Sequence, residues 1–210
     1  MKIKEIYKNH PEVHVLMNME KMSHPDVRTH SERVAHIASF IIKKLDDKHL
    51  KEIEEEILIG ALLHDIGKLY IPFNLDLSPL KYTEVEIDIM KTHTSAGLKI
   101  VQKDFSEVIK NIVYMHHEEN GGNGYPQGIT KQEIPDYVQI IAVADKYEAL
   151  TAKRPYKRSL SHEDSIKILR ETDITQKYVD IVEKYKTFSL EENEFKYFIE
   201  YHISKHTAVN

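Results

Sequence analysis

Residues 57–68 read ILIGALLHDIGK, and this stretch decides how the surrounding chain folds. Ile57 and Ala61 lie four residues apart, the spacing of a helix that buries one face. His64 follows Ile57 by seven residues and Ala61 by three, so its imidazole shares the buried face, with Asp65 beside it. Burying an ionisable group without a partner costs several kcal/mol, so this helix end requires compensating groups from elsewhere.

The same helical periodicity recurs along most of the chain. Apolar residues three and four positions apart run through residues 34–45, 109–113 and 138–152. We find no series of alternating, strand-like runs joined by hairpin turns. The sequence therefore predicts an all-α helical bundle of roughly seven to nine helices with essentially no sheet.

Composition excludes several functional classes. The 210 residues include 29 Lys and Arg against 34 Asp and Glu, a formal charge of −5, which argues against nucleic-acid and membrane-surface binding. The chain has no cysteine, which excludes disulfide scaffolds, thiolate metal sites and cysteine nucleophiles. No apolar stretch has the length of a signal peptide or a membrane span. We expect a cytoplasmic protein.

Histidine is abundant, with thirteen residues, and several lie on apolar helix faces. A single case, such as His93, is explained by a hydrogen-bonded core histidine. A set spread over five helices is better explained by a shared cation, because the ionisable groups then satisfy one another. The candidate ligands are His30, His64, Asp65, His93, His116, His117 and Asp145.

The chemistry of this donor set narrows the metal and the reaction. Imidazole and carboxylate without sulfur suit iron, manganese, nickel or zinc better than magnesium or calcium. So many ligands exceed what one ion takes, so we predict two ions, bridged by Asp65 and a water-derived oxygen. Such a pair activates water for in-line displacement at phosphorus. Lys68 lies beside the site; for Arg154 and Lys157, substrate contacts and solvated surface cations are equally consistent with the spacing.

Ordered motifs across residues 26–172 resemble a known family. His64–Lys68 is similar to the signature of the HD phosphohydrolase superfamily, and the fuller set resembles its HD-GYP branch. The segments that carry this resemblance are His30–Val34, His64–Lys68, His93–Gly97, His116–Glu118, Gly122–Pro126, Ala144–Tyr147, Ala149–Thr151 and Arg154–Lys157.

The resemblance implies a metal-dependent phosphodiesterase that opens cyclic di-GMP to pGpG, or on to GMP, through a metal-bridging hydroxide. It implies that the candidate ligands bind two or three iron or manganese ions. It places Asp65 and Lys68 at the reacting phosphate and makes Tyr125, Arg154 and Lys157 substrate contacts. It also allows docking to a diguanylate cyclase through the Gly-Tyr-Pro loop.

Residues 26–185 are then an HD-GYP-like catalytic domain, preceded by an N-terminal helix packed on it (1–25) and followed by a C-terminal helix and tail (186–210). Because the segment before Asp26 is only one helix long, we expect no regulatory domain in cis. Four of the seven glycines lie within residues 121–128 and predict a long, ordered loop between two helices.

Two positions depart from the HD-GYP pattern. Family members with three metals carry glutamate where this chain has Asp26, which leaves a third metal ligand, a hydrogen bond to a ligand histidine and a helix cap as alternatives. The loop usually has aspartate where this chain has Gly121. That change favours a second hypothesis, a module that binds cyclic di-GMP or a partner protein without catalysis. A third is an HD hydrolase of another nucleotide phosphoester.

Overall fold

The computed structural model describes residues 3–72, 75, 82–152 and 159–185. These ranges contain ten α-helices, one 3₁₀ helix and no β-strand, which confirms the all-α fold. No helix in these ranges is both long and apolar enough to span a bilayer. The helices are α1 Ile3–Asn9, α2 Pro11–Ser23, α3 Pro25–Leu45, α4 Lys48–Glu52, α5 Glu54–Leu63, η1 Ile66–Tyr70, α6 Glu84–Val101, α7 Glu107–Met115, α8 Asp136–Thr151, α9 His162–Glu171 and α10 Gln176–Val182.

The N-terminal segment differs from the single helix expected over residues 1–25. It forms two helices, α1 and α2, which are separated at His10. Pro11 is the first residue of α2, where its missing N–H costs no helical hydrogen bond. This break raises the helix count above the expected range. The C-terminal helix expected over residues 186–210 lies outside the described residues.

Helix α5 is the centre of the core. Its last seven residues, Ile57–Leu63, are all buried. It packs against α3 on one side and α7 on the other, while α3 also packs on α8 and α6 packs on η1. Burying one such aliphatic side chain contributes about 1.5–3 kcal/mol to the free energy of folding. Residues 57–63 therefore also drive the packing of the neighbouring helices.

A glycine in η1 allows α6 to pack closely against the segment that follows α5. A Cβ atom on Gly67 would lie 1.8 Å from the carbonyl oxygen of His93 and 2.5 Å from the backbone nitrogen of Gly97. Only glycine therefore allows η1 to pack directly on the backbone of α6. This approach places His93 next to His64 and Asp65.

Candidate metal centre

His64 and Asp65 occupy the junction between α5 and η1. His64 is the residue that follows α5, and Asp65 precedes η1; both side chains are almost completely buried. His64 donates from Nδ1 to the carbonyl oxygen of Ala61 at 2.7 Å, which turns Nε2 towards the interior. Asp65 lies where groups from α3, α6 and α7 converge on it.

We call Asp65, His93, His116 and His117 the imidazole half of the site. Their candidate ligand atoms all lie within 4.8 Å of one another. His93 comes from α6, and the other two histidines come from the end of α7. His93 donates from Nδ1 to the carbonyl of Met90, and His116 donates from Nδ1 to backbone carbonyls of α7. The Nε2 atoms of His93 and His116 consequently face each other at 3.3 Å.

We call His30, His64, Asp65 and Asp145 the acidic half. Ligand atoms of the first three lie within 4.8 Å of one another. Asp145, on α8, places Oδ1 3.0 Å from Nε2 of His30 and 3.9 Å from Nε2 of His64. Because Asp65 belongs to both halves, its two carboxylate oxygens face different groups: Oδ2 faces His30 and His64, and Oδ1 faces His93 and His116.

Burial and neighbouring charge shift the pKa values in the imidazole half downwards. Burial lowers the pKa of His93, and burial together with the adjacent imidazoles lowers that of His116 well below its usual range. Burial also lowers the pKa of His117 to about 3. These three histidines are therefore neutral at pH 7, the form in which imidazole binds metals.

Carboxylates dominate the acidic half. Burial lowers the pKa of His30, but hydrogen bonds to Asp145 and Glu148 outweigh it and raise the value to about 9. Burial raises the pKa of Asp65, yet the charges of Lys68 and the surrounding histidines hold it well below its usual range. Asp65 and Asp145 are ionised at pH 7.

The arrangement fits a divalent cation. In His93 and His116 the Nδ1–H group donates to a backbone carbonyl, so both Nε2 atoms are acceptors and cannot hydrogen-bond to each other. These two Nε2 atoms nevertheless lie 3.3 Å apart. Ligands about 2.1 Å from one ion are themselves about 3.0–3.4 Å apart. Nε2 of His64 is buried and has no hydrogen-bond partner among the described residues. Cations bound at these nitrogens would satisfy them, so this His/Asp cluster can hold divalent metal ions.

Lys68 and Tyr125 border the cluster. The ammonium group of Lys68 lies 2.8 Å from Oδ2 of Asp65. The ring of Tyr125 stacks on His117 with the centroids 4.7 Å apart, and Nζ of Lys91 lies 5.9 Å from the Tyr125 centroid. Burial raises the pKa of Tyr125 above its ordinary value, so its hydroxyl stays protonated and can donate a hydrogen bond. Two donors, one of them cationic, thus lie beside the cluster.

Comparison with protein families agrees with this geometry. Residues 14–180 match the family model of the HD domain. The chain belongs to the HD domain family. Among solved structures, the HDG"Y"P protein from Bdellovibrio bacteriovorus superposes with a TM-score of 0.64 at 21% identity, over 75% of this chain and 51% of that protein. At this identity the likeness shows that the two proteins share the all-α HD fold.

Curated HD-domain relatives are similar over about two thirds of the chain. The cyclic di-GMP phosphodiesterase of Thermotoga maritima is 35% identical over 145 residues, which cover 68% of this chain and 39% of that protein. The 3'3'-cGAMP-specific phosphodiesterase 1 of Vibrio cholerae is 33% identical over 142 residues, which cover 67% of this chain and 32% of that protein. The chain thus spans about a third to two fifths of the length of these relatives.

The loop between α7 and α8, which contains the Gly-Tyr-Pro sequence, is fixed by two carboxylates. Glu118, which is buried, accepts hydrogen bonds from the backbone N–H groups of Gln127 and Ile129. At the departure from the family pattern, Gly121 donates its N–H to Asp173 at 2.7 Å. A Cβ atom on Gly121 would lie 2.6 Å from the same Asp173 oxygen, so Asp173 occupies the space into which a side chain at position 121 would project.

Other site residues predicted from the sequence do not join the cluster or lie outside the described residues. Asp26 is exposed in the first turn of α3 and belongs to neither half, so the structure does not bring it to the cluster. Arg154 and Lys157 lie outside the described residues. Glu148 has no predicted role, yet its carboxylate binds His30. It lies three residues after Asp145 on the same helical face. That spacing was the signal that could have identified it.

Proposed function

We propose that this chain is a metal-dependent phosphodiesterase that hydrolyses cyclic di-GMP to linear pGpG, or on to GMP. The observation that carries the proposal is the convergence of the two halves on Asp65, with Lys68 2.8 Å from that carboxylate. The HD-domain relatives named cyclic di-GMP and cGAMP phosphodiesterases support a cyclic dinucleotide as the substrate.

The two halves would each hold one ion, with Asp65 shared between them. Divalent ions bound there supply water activation at neutral pH and neutralise charge on the phosphate. We propose two ions, iron or manganese, because donor atoms from neutral imidazoles and ionised carboxylates suit these metals. The proposed ligands are His30, His64, Asp65, His93, His116, His117 and Asp145.

The chain's own side chains would orient the substrate and handle the proton. In hydrolysis, water adds to phosphorus, the P–O3′ bond breaks, and the departing O3′ takes up a proton. Lys68 is the proposed donor of that proton, since its ammonium group lies beside Asp65 and is partly buried. Tyr125 would donate a hydrogen bond to the nucleotide, while the proposed contacts of Arg154 and Lys157 rest on the sequence motif alone.

Product analysis with metal-loaded protein tests this function. Protein purified without oxygen and loaded with ferrous or manganous ion should convert cyclic di-GMP to pGpG or GMP. His64→Ala should lower turnover at least about a hundredfold. The matched control is His49→Ala, an exposed histidine on α4, which should retain the wild-type rate. Absence of turnover with either metal would contradict the proposal.

A second candidate substrate is 3'3'-cGAMP, which is favoured by the similarity to the Vibrio cholerae enzyme. Measuring kcat/KM for cyclic di-GMP, 3'3'-cGAMP and a nucleoside monophosphate in parallel separates the candidates. Tight nucleotide binding without turnover would instead favour a binding module. Docking of a diguanylate cyclase on residues 122–126 stays a prediction from family resemblance.

A further inference from the structure

Glu148 lies behind the acidic half, on the side of His30 that faces away from Asp65. It is on α8, three residues after Asp145, and is 1% exposed. Its Oε2 atom accepts a hydrogen bond from Nδ1 of His30. Its Oε1 atom accepts one from Nε of Arg33. Thus α3 contributes His30 and Arg33, and α8 contributes Asp145 and Glu148. Hydrogen bonds and ion pairs connect these four side chains where α3 packs on α8.

His30 differs in this contact from the other histidines of the cluster. His64, His93 and His116 use Nδ1 to bond to backbone carbonyls of their own helices, so the helix itself fixes their orientation. His30 bonds instead to a side chain on a different helix. Its orientation therefore depends on a carboxylate that a single substitution can remove.

The buried carboxylate of Glu148 is compensated from its outer side. Arg33 is partly exposed, with a third of its side chain accessible, and binds the oxygen of Glu148 that His30 does not use. Without a cationic partner, a carboxylate so deeply buried would be strongly destabilising. Arg33 thus allows Glu148 to stay ionised beside His30.

We propose that Glu148, held by Arg33, is a positioning residue that directs Nε2 of His30 to the acidic half and strengthens its binding to a metal ion. Glu148 contacts neither Asp65 nor the imidazole half in the described hydrogen bonds and ion pairs. Because Glu148 contacts His30, we expect its effect in the acidic half. The inference rests on the proposed function only in requiring that the cluster binds a divalent ion.

Titration of the metal-free full chain with Mn²⁺ tests this role. For Glu148→Gln, which keeps the side chain's size but removes its charge, we expect the Mn²⁺ affinity of one equivalent to fall about 10–100-fold. The other equivalent, bound in the imidazole half, should keep its affinity. As a spectroscopic readout, Co²⁺-loaded protein should show changed absorption bands for one of its two ions.

Glu32→Gln is the matched control. Glu32 is a buried glutamate on α3, hydrogen-bonded to Arg28 and to Tyr7, and neither contact belongs to the cluster. It should lose comparable thermal stability yet keep both Mn²⁺ affinities within about twofold. Equal loss of Mn²⁺ affinity in both variants, or wild-type affinity in Glu148→Gln, would overturn the positioning role. Failure of the wild type to bind Mn²⁺ would instead contradict the proposed function.

A second pair of variants keeps the test independent of folding defects in Glu148→Gln. Arg33→Met removes the outer partner of Glu148, whereas Arg33→Lys retains the charge with a different geometry. We expect Arg33→Met to weaken one Mn²⁺ equivalent severalfold and Arg33→Lys to restore part of the loss. If both variants bind Mn²⁺ as the wild type does, Arg33 has no part in positioning His30.

Discussion

The two halves of the site solve the burial of ionisable groups in opposite ways. In the acidic half, His30 lies between Asp145 and Glu148, and those hydrogen bonds outweigh burial to raise its pKa to about 9. In the imidazole half, burial of His117 outweighs the charges of Asp145 and Asp65, and its pKa falls to about 3. A proton on His30 can therefore neutralise negative charge in the acidic half, whereas His117 in the imidazole half is unprotonated at pH 7.

This difference indicates what a bound cation must do in each half. In the acidic half an ion displaces a proton that already neutralises the carboxylates, so its binding competes with protonation of His30. In the imidazole half an ion would meet three histidines that are already neutral. We therefore expect the two halves to bind metal with different affinities, although they share Asp65.

Removing the shared carboxylate should produce the largest effect. In Asp65→Asn both halves lose a charged ligand at once, so we expect kcat to fall about a thousandfold or more, on the order of 4 kcal/mol in the barrier. Metal analysis should show loss of more than one equivalent per chain. Asp46→Asn, at an exposed carboxylate paired with Lys51, is the control. Loss of only one equivalent would show that Asp65 is not shared.

His116→Leu separates the halves. It removes a buried imidazole whose Nε2 lies 3.3 Å from that of His93, so the imidazole half should lose its ion while the acidic half keeps one. Activity should fall about a hundredfold, but the metal-free protein should be as stable as wild type or up to about 1 kcal/mol more stable. Urea unfolding in chelator measures this. A marked loss of metal-free stability would mean that His116 contributes to the fold rather than to the metal site.

The stability of the metal-free protein should respond to pH with opposite signs in the two halves. The pKa of His117 drops from 6.5 to about 3 on folding, so its contribution is complete above pH 6.5 and is lost as pH falls towards 3. The pKa of His30 rises from 6.5 to about 9, so its contribution is complete below pH 6.5 and is lost as pH rises towards 9.

Urea unfolding across this pH range, in chelator, checks both signs. His117→Gln should lose less stability than wild type on acidification, and His30→Gln should lose less than wild type at alkaline pH. If both variants follow the wild-type curve, the contrast in protonation between the halves is wrong.

Helical periodicity predicted much of the cluster because it identifies which ionisable groups are buried. It placed His64, His93 and His116 on apolar faces, and the structure brings all three together. It could not predict which buried groups face each other across helices, so Glu148 received no role. Asp26 lies four residues before His30, but its side chain is exposed although Val27 and Arg28 beside it are buried. Helical spacing does not by itself show which residues of a helix's first turn are covered by other elements.

The loop over the imidazole half also depends on a contact between residues that are distant in sequence. In the sequence, Gly121 leaves this loop without the carboxylate that the family pattern usually has there. The structure instead supplies Asp173, fifty-two residues away, which accepts from the backbone N–H of Gly121. Residue spacing could not predict this pair, because Gly121 and Asp173 lie in separate connecting segments, one after α7 and the other after α9.

The smallest expected effect tests this replacement. Asp173→Ala removes a single exposed hydrogen bond to a charged acceptor, worth about 1 kcal/mol, so KM should rise up to about fivefold as the loop that carries Tyr125 loosens. Mn²⁺ affinity in both halves should not change, because Asp173 does not contact the cluster in the described hydrogen bonds.

Gly121→Asp alone should also raise KM, since its Cβ would lie 2.6 Å from Asp173. The double variant Gly121→Asp/Asp173→Ala should restore KM towards wild type, because one carboxylate then occupies the position without a clash. If the double variant is as impaired as the sum of the single ones, the two carboxylates are not equivalent and Asp173 does not substitute for the family aspartate.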